Sequence, residues 1–270
     1  MVANAIDTVG LKPATGAFSR TADRWIYVFM AGLFVVTVLA GFIPDSMGMV
    51  AAVQAGQRPP LPPVLHAHAV LMGTWLLLLL TQSTLVATGR RAFHQQLGLI
   101  GMVVAPAMVV AMIGLVRNSL TEVAAIPPGL MPPDALNATK LFVANLLLEQ
   151  IRVVIFFASF VGWALAIRRK DPEAHKRLML LATAMPLPAA LNRIQWLYSS
   201  LPVSPTTSDL YTLLWLLPAL LYDIARRGHV HRVYVIGILL NLPFMLATQL
   251  LWGSAWWAAA APRLMGVTGW

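Results

Sequence analysis

Seven long apolar stretches dominate this chain, and the polar segments that join them alternate between rich and poor in basic residues. A helix that crosses the hydrocarbon core of a bilayer needs about 20 predominantly apolar residues. The stretches therefore predict an all-α integral membrane bundle of seven transmembrane helices. The predicted spans are Trp25–Ile43, Leu65–Ala87, Leu97–Val116, Leu141–Ile167, Leu178–Tyr198, Leu210–Ala225 and Val233–Ala260.

Composition agrees with a membrane class and excludes several functions. Charged residues make up 11% of the chain, against roughly 25% in a soluble domain. The net charge of +9 does not indicate nucleic-acid binding, because the basic residues stand mainly at predicted helix ends, where lipid headgroups neutralise them. The chain has no cysteine, which excludes disulfides, thiolate metal sites and iron–sulfur clusters.

The distribution of Lys and Arg predicts the orientation, because cytoplasmic loops carry the excess of positive charge. One set of segments holds thirteen basic residues: Lys12, Arg20, Arg24, Arg90, Arg91, Arg168, Arg169, Lys170, Lys176, Arg177, Arg226, Arg227 and Arg232. The alternate set holds four: Arg58, Arg117, Lys140 and Arg263. We therefore expect a multi-pass protein of the bacterial inner membrane with a cytoplasmic N-terminus and an external C-terminus.

The predicted organisation is a cytoplasmic segment at 1–24, one transmembrane domain at 25–260 and an external tail at 261–270. The first apolar stretch ends without a small-residue cleavage pattern, so we expect it to be retained as a span. Two external segments, 58–63 and 126–133, are rich in proline and cannot be helical throughout.

Two histidines open the second predicted span behind the first proline-rich segment. His68, Trp75 and Gln82 are spaced by seven residues and share a helix face, whereas His66 points elsewhere on a regular helix. One interpretation is that both histidines hydrogen-bond to loops at the interface. The other is that His68 ligates haem or a transition metal. Glu149 is then the candidate for the second metal ligand, because its predicted depth in the membrane is nearest to that of His68.

Polar groups inside the spans form the second set of candidates, because charges in a bilayer need a structural or functional reason. The residues are Gln82, Glu149, Arg152, Arg193 and Asp223. Glu149 and Arg152 are three residues apart and are predicted to pair, with Arg193 as an alternative partner. One acid with two bases leaves a positive charge that suits an anion. The alternative is a network that serves only helix association.

Three predicted cytoplasmic turns share a basic pair followed by histidine and a new helix. They carry His94, His175, and His229 with His231. The pattern fits a threefold structural repeat, or simply the positive-inside bias. His94 and His175 begin helices, where the neutral, ligand-competent imidazole is favoured, so they join His66 and His68 as candidate cofactor-binding residues.

Motifs along most of the chain resemble an uncharacterised family of bacterial multi-pass membrane proteins. They are Leu65-His66-Ala67-His68, Trp75, Gln82, Gly89-Arg90, His94-Gln95-Gln96-Leu97-Gly98, His175-Lys176-Arg177-Leu178-Met179, Arg193, Asp223 and Gly228-His229-Val230-His231. The histidine-led piece at 175–179 is also similar to membrane proteins linked to the assembly of haem-copper oxidases. Neither likeness carries an established activity.

Three functions stay open at this point. The first is handling of haem b or a transition metal in respiratory electron transfer or its assembly. The second is a carrier that uses the intramembrane Glu/Arg network. The third is an accessory subunit of a membrane complex, including a respiratory complex or a homo-oligomer. No catalytic motif is present, which favours a function other than catalysis.

Overall fold

The computed structural model describes residues 17–270, with side chains from residue 19 onward. Lys12 and the rest of residues 1–16 lie outside it. Every regular element within 17–270 is a helix, so the all-α prediction is confirmed. The helices are α1 (Ala17–Gln54), α2 (Pro63–Ala87), α3 (Arg91–Ala124), α4 (Pro133–Ile167), α5 (Pro172–Ala184), α6 (Pro188–Leu191), α7 (Thr206–Arg227), α8 (Arg232–Leu251) and α9 (Ala255–Leu264).

Five of these helices, α1 to α4 and α8, are long and apolar enough to cross a membrane. The molecule is thus a helical membrane protein. The count of seven crossings stays a prediction, because α5 has only 13 residues and α7 carries charged residues near both ends.

Proline sets several helix boundaries. It stands at the first turn of α2, α4, α5 and α6, where its missing N–H has no helical partner to lose. The proline-rich segments 58–62 and 126–132 are not helical, as predicted. The first predicted span lies within a longer helix, since α1 continues through Pro44 to Gln54.

Two predicted spans are interrupted. The fifth, Leu178–Tyr198, is helical only to Ala184 and again from Pro188 to Leu191, because Pro186 and Pro188 follow each other too closely for a continuous helix. The seventh, Val233–Ala260, breaks after Leu251. Gly253 there has a φ of +76°, and the Ser254 side chain accepts a hydrogen bond from the first turn of α9.

Small residues and cross-helix hydrogen bonds hold the bundle together. A Cβ on Gly41 would stand 2.3 Å from the Ala190 carbonyl oxygen, so only glycine lets α1 approach α6 this closely. Trp75 Nε1 donates to Thr183 Oγ1 at 3.1 Å, which ties α2 to α5 inside the apolar core. A smaller apolar cluster joins α3, α4 and α9.

The bundle has two ends that differ in composition. The basic end comprises residues 20–24, 87–94, 167–177 and 222–232, and contacts such as Arg24 Nε to the Ala87 carbonyl join them. The proline-rich end comprises residues 44–63, 117–133, 188–209 and 249–270. It is joined by contacts such as that of Arg117 Nε, which donates to the Met265 carbonyl oxygen at 3.1 Å.

Candidate functional site

The predicted pair within the apolar part of α4 is present. Arg152 Nη2 donates to Glu149 Oε2 at 2.8 Å, and both residues are buried. Arg193, the alternative partner, lies elsewhere: its exposed guanidinium pairs with Asp45 through Nε and Oδ2 at 3.0 Å. Asp223 lies at the basic end, so the five predicted network residues do not form one network.

A third charged residue completes the Glu149 and Arg152 pair. Asp209, in the first turn of α7, accepts from Arg152 Nη1 at 2.5 Å and from Gln249 Nε2 of α8 at 3.3 Å. Sequence reasoning missed it because an aspartate in a first turn looks like an ordinary partner of the helix dipole. The sequence did contain an indication, because Asp209 immediately precedes the predicted span Leu210–Ala225.

The charge balance of this triad, Glu149–Arg152–Asp209, reverses the expectation from the sequence. One base and two acids leave a formal charge of −1, whereas the sequence predicted a positive site for an anion. Glu149 Oε1 is buried and has no hydrogen-bond partner among the described residues. The triad therefore holds an unsatisfied acceptor beside surplus negative charge, which favours a proton or a cation.

A cavity of about 30 Å³ adjoins the triad between α4, α5, α7 and α8. Arg152, Asp209, Thr212 and Asn241 line one part of it, and Leu216 and Met185 are among the apolar residues that line the rest. Asn241 Oδ1 is a second buried acceptor without a partner in the described chain. A cavity of this size holds water when polar partners are available, as they are here.

The two histidines at the start of α2 lie in different environments. His66 is exposed, and His68 is half-buried with Nδ1 lacking a hydrogen-bond partner within residues 19–270. No group of three or more potential metal-binding His, Asp or Glu side chains occurs in the described part of the chain, so His68 and Glu149 do not belong to such a group. The α2 face that carries His68, Trp75 and Gln82 is directed toward the bundle, as predicted, since Trp75 on this face is buried.

His94 and His175 are closer to one another than the sequence alone indicates. Both lie at the basic end, within electrostatic range of each other. His175 Nδ1 lies 2.9 Å from the Ala164 carbonyl oxygen, to which it must donate. His94 Nδ1 and Gln82 Oε1 are both buried without a partner in the described chain, and Gln82 lies against α3 near Gly98.

Asp223 belongs to a buried lattice of charges at the basic end. Arg177 Nε donates to Asp223 Oδ2 at 2.9 Å, a second guanidinium nitrogen binds Oδ1, and both side chains are almost fully buried. Glu173 accepts from Arg177 Nη1 at 2.7 Å and also binds Arg227. The backbone N–H of His231 donates to Asp223 at 3.2 Å. The start of α5 and the end of α7 are thus linked by ion pairs, and the start of α8 is linked to them by a backbone hydrogen bond.

Two further ion pairs extend this lattice. Arg226 binds both carboxylate oxygens of Asp23, at 2.6 and 2.7 Å, which fastens α7 to α1. Asp171 caps α5 and pairs with Arg232 at 3.0 Å. Burial together with the nearby guanidinium groups of Arg177 and Arg227 lowers the pKa of the His231 imidazole to about 4, so His231 is neutral near pH 7.

A scan against protein-family models and searches of curated proteins and of solved structures find no match to this chain.

Proposed function

We propose that this protein is a seven-pass membrane carrier in which the triad Glu149–Arg152–Asp209 binds a proton or small cation as part of the transport cycle. The observation that supports the proposal is that two carboxylates share one guanidinium, and that Arg152 and Asp209 of this triad line a cavity between four helices. Intramembrane ionisable residues facing such cavities are characteristic of proton and ion pathways.

The proposed topology adds two crossings to the five apolar helices. Residues 172–191, from α5 through α6, span about 30 Å if mostly helical, and the 22 residues of α7 span about 33 Å. Each is long enough for the hydrocarbon core. With the basic end in the cytoplasm, the triad lies in the outer half of the membrane.

Two acids that share one guanidinium form a two-state element. When Asp209 is protonated, Arg152 keeps only Glu149, which is on its own helix, and α7 loses its ionic tie to α4. When Glu149 is protonated, Arg152 keeps Asp209 and the two helices stay tied. The location of one proton therefore determines whether α4 and α7 are held together, which is how a local charge change drives a helix rearrangement.

The test is a pH jump on protein reconstituted on a solid-supported membrane, with the charge-displacement current as the readout. Wild type should give a transient current, and Glu149→Gln and Asp209→Asn should each lower it at least about tenfold. Glu122→Gln is the matched control, because Glu122 is an exposed acid at the proline-rich end. Unchanged currents in Glu149→Gln protein that still melts cooperatively would reject the proposal.

A second candidate function keeps the expectation of a haem or metal protein in respiratory electron transfer or its assembly. It rests on His175, whose Nδ1 donates to a carbonyl and so leaves Nε2 as a free ligand atom near His94. Purified protein should then show a Soret band and split α/β bands on reduction. His175→Ala should remove them, and His229→Ala, an exposed histidine at the same end, should not. A wild type without haem or metal would exclude this function.

A further inference from the structure

An open cleft of about 480 Å³ lies at the proline-rich end, apart from the triad. It is bounded by the last turns of α1, by the loop that follows α1 and by the segment after α6. The residues that matter here are Asp45, Met49, Arg58, Arg193 and Gln195. The volume is in the range of small-molecule sites rather than of a water cavity.

The cleft holds a cation without a counter-charge. Arg58 makes no ion pair or hydrogen bond with any residue in 19–270, and its Nε is buried. Arg193 gives Nε to Asp45 at 3.0 Å and Nη1 to the Ala189 carbonyl at 2.6 Å, so its Nη2 stays available. One carboxylate and two guanidinium groups leave one positive charge, and the free N–H groups suit an oxyanion.

The depth of the cleft indicates where that oxyanion comes from. Trp25, beside Arg24, has the position of an interfacial aromatic at the other end of α1. A hydrocarbon core of about 30 Å takes about 20 helical residues, which carries α1 from Trp25 to about Asp45. The cleft therefore lies at the level of the lipid headgroups. Trp196 and Tyr198, both highly exposed, stand beside it as residues of an aromatic belt would.

We propose that this cleft binds the phosphate group of an anionic phospholipid. Arg58 donates to the phosphate oxygens, the free Nη2 of Arg193 adds a second donor, and the apolar wall at Met49 takes the glycerol part of the lipid. A phospholipid with a net charge of −1 neutralises the surplus charge, which a zwitterionic lipid does not. Soluble inorganic phosphate offers the same oxygens but has no apolar part for the wall.

The experiment is native mass spectrometry of the full chain, released from neutral detergent with equimolar phosphatidylglycerol and phosphatidylcholine of the same acyl chains. Wild type should retain phosphatidylglycerol in preference. Arg58→Gln should lower that retention roughly tenfold, the usual effect of losing a charged hydrogen bond. The matched control is Arg263→Gln, an exposed arginine at the same end of the bundle. It should behave as wild type.

Two outcomes overturn the proposal. Equal retention of phosphatidylglycerol by wild type and Arg58→Gln would show that the cleft does not hold the headgroup. Displacement of the lipid by millimolar inorganic phosphate, together with a higher melting temperature in phosphate alone, would assign the site to a soluble anion. Arg58 has no described partner to lose, so Arg58→Gln should melt as wild type does, and a lost adduct then reports binding.

Discussion

The two ends of the bundle both bury charge, but they balance it differently. At the basic end, Arg177 and Asp223 form a bidentate pair, and Glu173, Arg227 and the His231 backbone add further partners. Near the proline-rich end, two carboxylates share the single guanidinium of Arg152, and one oxygen of Glu149 has no partner among the described residues. The cavity adjoins the triad and is not lined by the charges of the basic end.

The difference separates a structural from a functional use of buried charge. At the basic end the two carboxylates Glu173 and Asp223 are matched by the two guanidinium groups of Arg177 and Arg227, although Arg227 Nε has no hydrogen bond within the described residues. Such a charge-paired lattice holds helix ends in one arrangement, because breaking it leaves a buried charge uncompensated. A triad with one more carboxylate than guanidinium is stabilised by taking up a positive charge, so its state depends on the protons or cations that reach it. We infer that the basic end is the fixed part of the molecule and that the triad is the responsive part.

The first prediction assigns the two ends to opposite sides of the membrane, and its effect is all or none. A reporter fused after Pro172 should be active only in a cytoplasmic format, and one fused after Pro205 only in an external format. Measurement uses paired enzyme fusions in cells. The reverse activity at either position would refute seven crossings with the basic end inside.

The second prediction breaks the charge-paired lattice at the basic end. Asp223→Asn keeps the shape of the side chain but leaves Arg177 with too little negative charge, and it should lower the free energy of unfolding by about 3–5 kcal/mol. Asp171→Asn is the control. It can still cap α5, and its partner Arg232 is 74% exposed, so its loss should stay under about 1 kcal/mol. Thermal melting in detergent measures both, and equal losses would contradict the argument.

The third prediction uses the asymmetry of the triad. Arg152→Gln leaves two buried carboxylates without a cation and should cost about 2–3 kcal/mol, even if one of them takes a proton. Glu149→Gln leaves Arg152 paired with Asp209 and should cost under about 1 kcal/mol. From the sequence alone, Glu149→Gln would be expected to leave a buried cation without a partner. Melting that is lowered equally by the two changes would show that Asp209 does not act as the second partner.

The smallest expected effect concerns pH at the basic end. The pKa of His231 is about 4 in the folded protein and near 6.5 when unfolded, so the unfolded chain binds more protons between these values. Stability should therefore fall as pH drops from 6.5 to 4. His231→Asn retains a capping side chain and does not titrate.

His231→Asn should reduce the loss of stability between pH 6.5 and 4 by about 1–2 kcal/mol, as measured by melting at a series of pH values. The charged groups around His231 are Arg177, Arg227, Asp223 and Asp171. Among them, Asp171 has a pKa below its usual 3.8, because the opposing effect of burial is outweighed by hydrogen bonds from Ala174 and Arg232. Asp171 therefore titrates below the range from pH 4 to 6.5 in which His231 is tested. Identical pH dependence in wild type and variant would exclude His231 as the titrating group.

Several features of this protein follow from local sequence and needed no tertiary information. Apolar length and the low share of charge predict helices in a membrane, because a backbone in lipid must satisfy its own hydrogen bonds. Proline predicts where the segments at 58–62 and 126–132 stop being helical. The pairing of Glu149 with Arg152 follows from a separation of three residues on one helix. The threefold repeat, the haem or metal function, the role as an accessory subunit and the family resemblance stay predictions.

Tertiary structure alone decided which distant charges meet. Arg177 and Asp223 are 46 residues apart, and Arg152 and Asp209 are 57 apart, so no local periodicity relates them. Helix breaks, as at Pro186 and Gly253, shift the register of the residues that follow them. Arg193 follows the break at Pro186, and it pairs with Asp45 and not with Glu149. The sign of the charge at the triad depends on such encounters. Sequence thus determined that this chain is a helical membrane protein. The packing of α4 against α7 determined that Glu149 and Asp209 share one guanidinium and leave a negative charge unbalanced.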